Sequence, residues 1–371
     1  MAKTIRAKAV PIQPGLFGAD YDRKSRLLPL IDEQKDISYY AAPAKNVLNP
    51  PETTGMDFWS LNPYTGCAFG CTYCYARYSH RYVMERASDA RRMEDSLAEK
   101  YAQMPPWLAF ERNIFVKTNA PELLSRVLRH GSDKHRQLLG GQAILIGSAT
   151  DPYQPAERRF RVTRGVLEVL AMHPGLRIVI ITKSPLITRD VDLLARISRH
   201  SKLSVHISLI TLDRELARRL EPRSPTPESR VRALARLRAA GIEAGINCMP
   251  VLPGITDNPA DLDALVKRVA EAGATYVGAC ALRLRNSAKQ RYLPFIESEF
   301  PHLARSYRRT YGPGEHQAGE KYRVGLASFF ERTCARYGVR ASSRMDDEED
   351  DSLLPGGGGR DELQLELLTA T

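Results

Sequence analysis

Cys67-Ala68-Phe69-Gly70-Cys71-Thr72-Tyr73-Cys74, inside the run LNPYTGCAFGCTYCYARYSHRY at 61–82, places three thiols four and then three residues apart. Gly66 and Gly70 supply the backbone freedom that so tight a loop needs. Three thiolates converging from one short loop suit a soft metal or an iron–sulfur cluster. A cubane cluster has four irons, so three cysteines leave one iron open to another ligand. Zinc competes poorly here. A structural zinc site usually takes four protein ligands, often as two separated C-x2-C pairs. Cys71 and Cys74 make one such pair and no second pair follows. Cys248, Cys280 and Cys334 are isolated in apolar surroundings and read as small core residues.

Downstream of this loop the chain alternates strand and helix. Phe58 to Asn62 is a short first strand that ends at the cysteines. A charged, helix-prone stretch covers about 79–103. Ile114 to Thr118 reads as a strand, and Asn119 as the cap of a helix beginning near Pro121. Ala143-Ile144-Leu145-Ile146 is a short apolar run of the kind buried on both faces. Strands over 178–182, 203–209, 242–248 and 276–282 then alternate with helices over 188–199 and 227–240. The clearest helix starts at Asn258, with Pro259 in its first turn. Leu262, Leu265, Val266, Val269 and Ala270 form its apolar stripe, and Gly273 stops it. Repeated βα units with buried strands imply a parallel sheet. Seven strands over 58–282, counting Ile114 to Thr118, are too few for a closed eight-unit barrel. The expected fold is therefore an α/β partial barrel.

Four regions follow from this pattern: an N-terminal extension at 1–57, a core domain at 58–285, a basic helical segment at 286–345, and an acidic, glycine-rich tail at 346–371 expected to be disordered. The first 57 residues are punctuated by prolines and glycines and are expected to wrap the core. Apolar content of 43% and charged content of 26% are those of a globular protein, and no apolar run is long enough to span a bilayer. The N-terminus lacks the apolar core of a secretory signal. Clustered cysteines without an export signal point to a reducing cytoplasm, with no membrane partner. Net charge is +11. The tail carries eight more acids than bases, so the rest of the chain carries about +19. That balance favours a polyanionic partner, nucleic acid first.

The C-x3-C-x2-C spacing followed by an aromatic resembles the signature of the radical S-adenosylmethionine (SAM) superfamily. The wider frame NPYTGC…GCTYCYAR resembles its spore photoproduct lyase-like, DNA repair photolyase-like branch. Four strand ends add to the likeness: GSATDPYQPAE after Ile146, Thr182-Lys183-Ser184-Pro185, Ser208 with LEPRSPTPE, and MPVLPGITDN after Cys248. In barrels, ligands gather at these ends. The resemblance spans about 45–285. It implies a partial (β/α)6 TIM-type barrel, a [4Fe–4S] cluster held by Cys67, Cys71 and Cys74, and SAM bound at the open iron. It also implies that Tyr75, Thr150, Lys183 and Ser208 position SAM. Beside this, Thr150 and Ser208 also read as loop caps, Lys183 as a solvated lysine and Tyr75 as core. Asp151 is a candidate catalytic residue, or else ties its own loop together. Arg223 would bind a carboxylate or phosphate at the barrel mouth, or anchor a loop. His206, in a strand between Val205 and Ile207, reads as a satisfied core histidine.

One residue departs from the pattern. Spore photoproduct lyase carries a cysteine three residues before this aspartate, and that thiol returns a hydrogen atom to the repaired base. Ser148 stands there in this chain, and its O–H bond is too strong for the task. The expected function is a radical SAM enzyme acting on nucleic acid, with an electron donor such as flavodoxin or ferredoxin. Arg283, Arg285, Lys289, Arg291, Arg305, Arg308 and Arg309, interleaved with Tyr292, Tyr307 and Tyr311, suit phosphate contact and base stacking. Their alternative is a solvated helical face with its aromatics packed inward. Two other functions stay open: modification of a peptide or small metabolite, and a non-catalytic metal-containing nucleic-acid-binding protein.

Overall fold

The computed structural model describes residues 30–54, 56–79, 104–129 and 132–342. The expected helix over about 79–103 and the acidic tail lie almost entirely outside these residues. Twelve strands are present among them: β1 Leu30–Gln34, β2 Ile37–Ala41, β3 Leu48–Asn49, β4 Trp59–Leu61, β5 Tyr64–Thr65, β6 Asn113–Val116, β7 Ala143–Ile146, β8 Arg177–Thr182, β9 Lys202–Ser208, β10 Glu243–Val251, β11 Tyr276–Ala281 and β12 Arg340–Ser342.

Eight of them form one open sheet in the order β12-β11-β10-β9-β8-β7-β4-β3. Every neighbouring pair from β4 to β12 is parallel, and only β3 runs antiparallel to β4. The six strands β4 and β7–β11 are the expected partial barrel. The sheet also takes in β3 and β12, which flank the expected 58–285 core on either side.

Along β7 and β8 burial alternates. Ile144, Ile146, Ile178 and Ile180 are fully buried, while Ala143, Leu145, Val179 and Ile181 are partly exposed. The run at 143–146 is therefore not covered on both faces as expected. Its outer face packs under helices and its inner face lines a lumen. The outer core joins these isoleucines to Val166 and Leu170 of helix Val162–Leu170, Leu194 of Val191–Ser198, Leu234 of Pro227–Ala239, and Val266 of Pro259–Glu271. Helix Pro259–Glu271 is capped as its sequence predicts, with Asn258 Oδ1 accepting from the Ala260 and Asp261 amides at 2.9 and 3.4 Å.

The Ile114 strand is a correction. β6 leaves the barrel count and joins a second sheet, β1-β2-β6-β5. It pairs parallel with β2 and antiparallel with β5. Asn119 is a second correction. It stands at the start of helix Ala120–Val127 but does not cap it. Its side-chain amide pairs instead with the Ala44 backbone, accepting at 2.8 Å and donating at 2.9 Å, which ties the N-terminal segment to the barrel. A local propensity has yielded to a contact made across 75 residues of sequence.

Candidate active site

The second sheet positions the cysteines. β5 runs directly into Gly66 and Cys67, so the entry to the loop is hydrogen-bonded to β6. Gly66 sits at φ 86°, where a Cβ would lie 2.8 Å from the Asn113 carbonyl oxygen. Gly70 sits at φ 66°, where a Cβ would lie 2.9 Å from Glu111 Oε2. Both positions thus need glycine for conformation and for space. The loop is then gripped from several distant segments. Cys67 N–H donates to Phe110 O at 3.0 Å, and Ala68 N–H to Gln154 Oε1 at 3.0 Å. Thr72 donates to Leu220 O through its N–H at 2.9 Å and its hydroxyl at 3.1 Å. The buried Arg77 donates to Cys71 O at 2.5 Å and to Trp107 O at 2.6 Å, and pairs with Glu111 at 2.6 Å.

Cys67 and Cys71 are buried, Cys74 is half-buried, and all three are free thiols. Burial pushes the Cys67 thiol well above its ordinary value, and Asp151, Cys71 and Cys74 push it further. Burial pushes Cys71 up to about 12 against the opposing pull of Lys183. The three thiols therefore lie close enough to act on one another, and they would ionise only against a positive partner. Among the described residues no group of three or more His, Cys, Asp or Glu is arranged to hold a single metal ion. Three free thiols from one short loop are the donor set that a [4Fe–4S] cluster takes at three of its irons, so the residues fit such a cluster.

Behind the loop lies a buried polar network. Glu221 accepts from the Tyr73 hydroxyl and pairs with Arg230, and Lys183 Nζ lies 3.8 Å from its Oε1. Burial alone would raise the Glu221 carboxyl, but Arg230 and Lys183 hold it below the ordinary carboxylate value. Burial likewise opposes the Lys183 ammonium, yet Cys71 and Glu221 leave it raised and charged. Arg230 also donates to Ser208 O at 3.0 Å and to Pro225 O at 2.8 and 3.0 Å. Sequence reasoning missed Glu221, Arg230, Gln154, Arg77 and Glu111. Glu221 did stand in the quoted LEPRSPTPE, and a charged residue between apolar neighbours was its available signal.

The expected site residues divide by what they touch. Lys183, Ser208, Ser148 and Tyr75 gather at the barrel mouth. Tyr75 is 53% exposed, against the core alternative, and its hydroxyl donates to Ser148 O. Ser148 Oγ lies 2.6 Å from Ser60 Oγ and accepts from Asn62 Nδ2 at 3.0 Å. Thr150 is turned toward the protein: its hydroxyl donates to Gly66 O at 2.6 Å and accepts from Gln154 at 3.0 Å. Asp151 is buried and accepts from Thr182 Oγ1, Lys183 N–H and Tyr153 N–H at 2.7, 2.7 and 2.8 Å. This is the loop-tying arrangement. Arg223 donates its N–H to Phe69 O at 3.3 Å and reaches Asp36 in the β1–β2 turn at 3.5 Å, which is the anchoring role.

Beneath the mouth, the concave face of the sheet lines a cavity of about 1880 Å³. Tyr75 and Ser148 stand at one end, and Leu145, Ile181, His206 and Asn247 lie along it. His206 is satisfied, with Nδ1 3.0 Å from Asn247 Oδ1, but it faces this lumen and not the packed core. Above the loop, a second apolar cluster joins Cys67, Phe69, Cys71 and Tyr73 to Tyr292, Ile296, Tyr307 and Tyr311. The C-terminal helices Asn286–Glu299 and Ala304–Thr310 thus keep the thiols dry. This corrects the stacking expectation, since Tyr292, Tyr307 and Tyr311 are at most 3% exposed. Lys289 is spent on the Gly312 and Glu315 carbonyls, and Arg291 lies over Trp107. Arg305, Arg308 and Arg309 remain exposed, Arg308 in an ion pair with Glu297 at 2.8 Å.

Residues 61–268 match the family model of the radical SAM superfamily. An uncharacterized protein of Mycobacterium tuberculosis is 31% identical over 310 residues, covering 83% of each chain. One of Methanocaldococcus jannaschii is 28% identical over 58% of this chain and 68% of its own length. Among solved structures, a mutant spore photoproduct lyase with bound AdoMet and dinucleoside spore photoproduct matches with a TM-score of 0.54. It is 15% identical, over 76% of this chain and 75% of that one, a likeness of fold. The chain belongs to the radical SAM superfamily. It is an enzyme of that superfamily, with a [4Fe–4S] cluster and SAM as its cofactors. Membership sets aside the non-catalytic reading. No helix among the described residues is long and apolar enough to cross a membrane.

Proposed function

We propose that this enzyme acts on nucleic acid, in the manner of a DNA repair lyase. The observation that carries the reading is the lumen. Sites for small ligands usually enclose about 300–1,000 Å³, and this one holds about 1880 Å³, with Tyr75 and Ser148 at one end. That size suits part of a polymer better than a small metabolite. The net charge of +11 favours a polyanion, and the solved lyase of the same fold holds a dinucleoside lesion.

Cys67, Cys71 and Cys74 would hold the cluster and leave one iron for the amino and carboxylate groups of SAM. When bound, the cluster and SAM would supply one-electron chemistry capable of taking hydrogen from a substrate. The chain's own residues do the rest. Lys183, kept charged by its neighbours, is placed to pair with the SAM carboxylate. Ser208 and the exposed Tyr75 flank the same space. The aromatic cap excludes water. Asp151 aligns the Lys183 backbone, and Thr150 fixes the carbonyl that precedes Cys67. Ser148 supplies no thiol, so efficient repair of the spore thymine dimer is not expected of this enzyme. The enzyme works in the cytoplasm, reduced by a flavodoxin or ferredoxin.

The test is anaerobic reconstitution, SAM cleavage with candidate substrates, and DNA binding across a salt series. Affinity should fall steeply with salt, and neutralising Arg305, Arg308 and Arg309 together should flatten the slope. Absent binding even at low salt, a peptide or small metabolite becomes the better substrate.

A further inference from the structure

The lumen has a polar pair that the cofactor chemistry does not use. His206 lies on β9 in register with Ile181 and Gly245, and Asn247 lies on β10 in register with Ser208. At about 3.3 Å per residue, His206 sits roughly 7 Å below Ser208, one step inside the mouth. Their mutual bond joins His206 Nδ1 to Asn247 Oδ1 at 3.0 Å. The acceptor oxygen requires the hydrogen on Nδ1. His206 Nε2 is then a bare acceptor, and Asn247 Nδ2 keeps its donors. Neither atom has a partner among the described residues, and both side chains line the cavity.

Burial pushes His206 down to about 4, so it stays neutral near neutral pH. Its ring lies 4.6 Å from that of Tyr276, and Leu145, Ile181 and Met249 supply apolar wall. Of the charged lining residues, Arg177, Lys202, Glu243 and Arg340 open their strands, and Asp57 and Arg199 lie outside the strands; Arg340 reaches back over the Tyr276 ring at 5.8 Å. A neighbouring acceptor and donor, set among flat and apolar groups, complement the edge of an amide, imide or nucleobase. They offer nothing to a charged group.

Resting on the nucleic-acid reading, we propose that His206 and Asn247 form a base-recognition subsite, taking the hydrogen-bonding edge of an unpaired nucleobase drawn into the lumen. The base would enter past Tyr75 and Ser148, leaving its sugar nearest the radical chemistry.

The experiment uses the full chain, loaded with its cluster anaerobically, and single-stranded oligothymidylate carrying one 4-thiothymidine. Long-wave irradiation followed by peptide mapping locates the thiobase. The crosslink is expected on peptides carrying β9 or β10. Asn247→Asp, which replaces the donor by a charged acceptor, and His206→Phe should each cut that crosslink about tenfold, the loss expected for one bidentate base contact. Overall affinity, set by phosphates, should change little. His206→Gln keeps an acceptor and should recover most of the yield, and this pair of His206 variants decides the matter should the Asn247 variant fail to fold. A crosslink confined to 286–310, or undiminished in both variants, overturns the subsite and leaves the nucleic-acid reading standing. Failure of the wild-type chain to retain the oligonucleotide at low salt overturns both.

Discussion

Replacing Arg230 by Met tests whether the buried network braces the cysteine loop. Arg230 gives three hydrogen bonds to the Ser208 and Pro225 carbonyls and neutralises Glu221. Removing one partner of a buried ion pair costs about 3–5 kcal/mol. Lys183 and Tyr73 still face Glu221, so the low end, about 3 kcal/mol, is expected. For a chain of 371 residues that corresponds to a fall in Tm of about 4 °C. Circular dichroism of the metal-free protein would measure it. The pH dependence supplies a check of sign. Glu221 is held below its ordinary 4.5, so its contribution in the wild type is full above that value and fades as pH falls through the lower folded value. Without Arg230 the buried carboxylate is a cost, relieved by protonation. The gap between the two proteins should therefore narrow below pH 4.5. Adding Glu221→Gln to the variant should recover stability, because the unpaired charge is gone. A Tm within 2 °C of wild type, a wider gap in acid, or strictly additive effects would refute the reasoning.

Cys67→Ala, Cys71→Ala and Cys74→Ala should each abolish the brown chromophore and the roughly four irons per chain that a cubane requires, whereas Ala at Cys248, Cys280 or Cys334 should leave the iron in place. Gly70→Ala should cost about 1–2 kcal/mol for its left-handed backbone and displace Glu111 from Arg77; slower iron uptake and faster iron loss on gel filtration would register it, and unchanged retention would count against the loop geometry. Reduced enzyme should cleave SAM to 5′-deoxyadenosine yet fail to repair the spore thymine dimer efficiently, and Ser148→Cys should raise that repair if the lumen admits the dimer. Clean repair by the unmodified chain, with regenerated SAM, would show that the inference from Ser148 is wrong.

Much of the barrel was legible because its signals are local. The stripe from Leu262 to Val269 and the cap at Asn258 report a helix whatever lies around them. The cysteine spacing is likewise a property of eight consecutive residues. What failed to show is what depends on distant partners. Ile114 to Val116 has the composition of a barrel strand, and only the hairpin at 30–41 and Tyr64–Thr65 draw it into another sheet. Tyr292, Tyr307 and Tyr311 look like stacking residues among arginines until the helices fold onto the thiols. Alternating exposure along β7 and β8 was hidden because both faces are apolar, and the lumen side shows only in space.

The same distinction sorts the strand-end residues. Each lies where a barrel collects ligands, so sequence position gives all of them an equal claim. Burial and bonding separate them. Thr150, Asp151 and Arg223 have their polar atoms committed to Gly66, to Thr182 with the Lys183 backbone, and to Asp36. A hydroxyl already donating to a carbonyl at 2.6 Å has little left for a cofactor. Lys183 follows β8 and stays charged, Ser208 ends β9, and Tyr75 is exposed beside Ser148. The first group is tied into the loops around the cysteines, and the second is proposed to meet what binds there. Substitutions in the first should therefore lower iron retention and stability together, while those in the second should weaken SAM binding with the iron count intact.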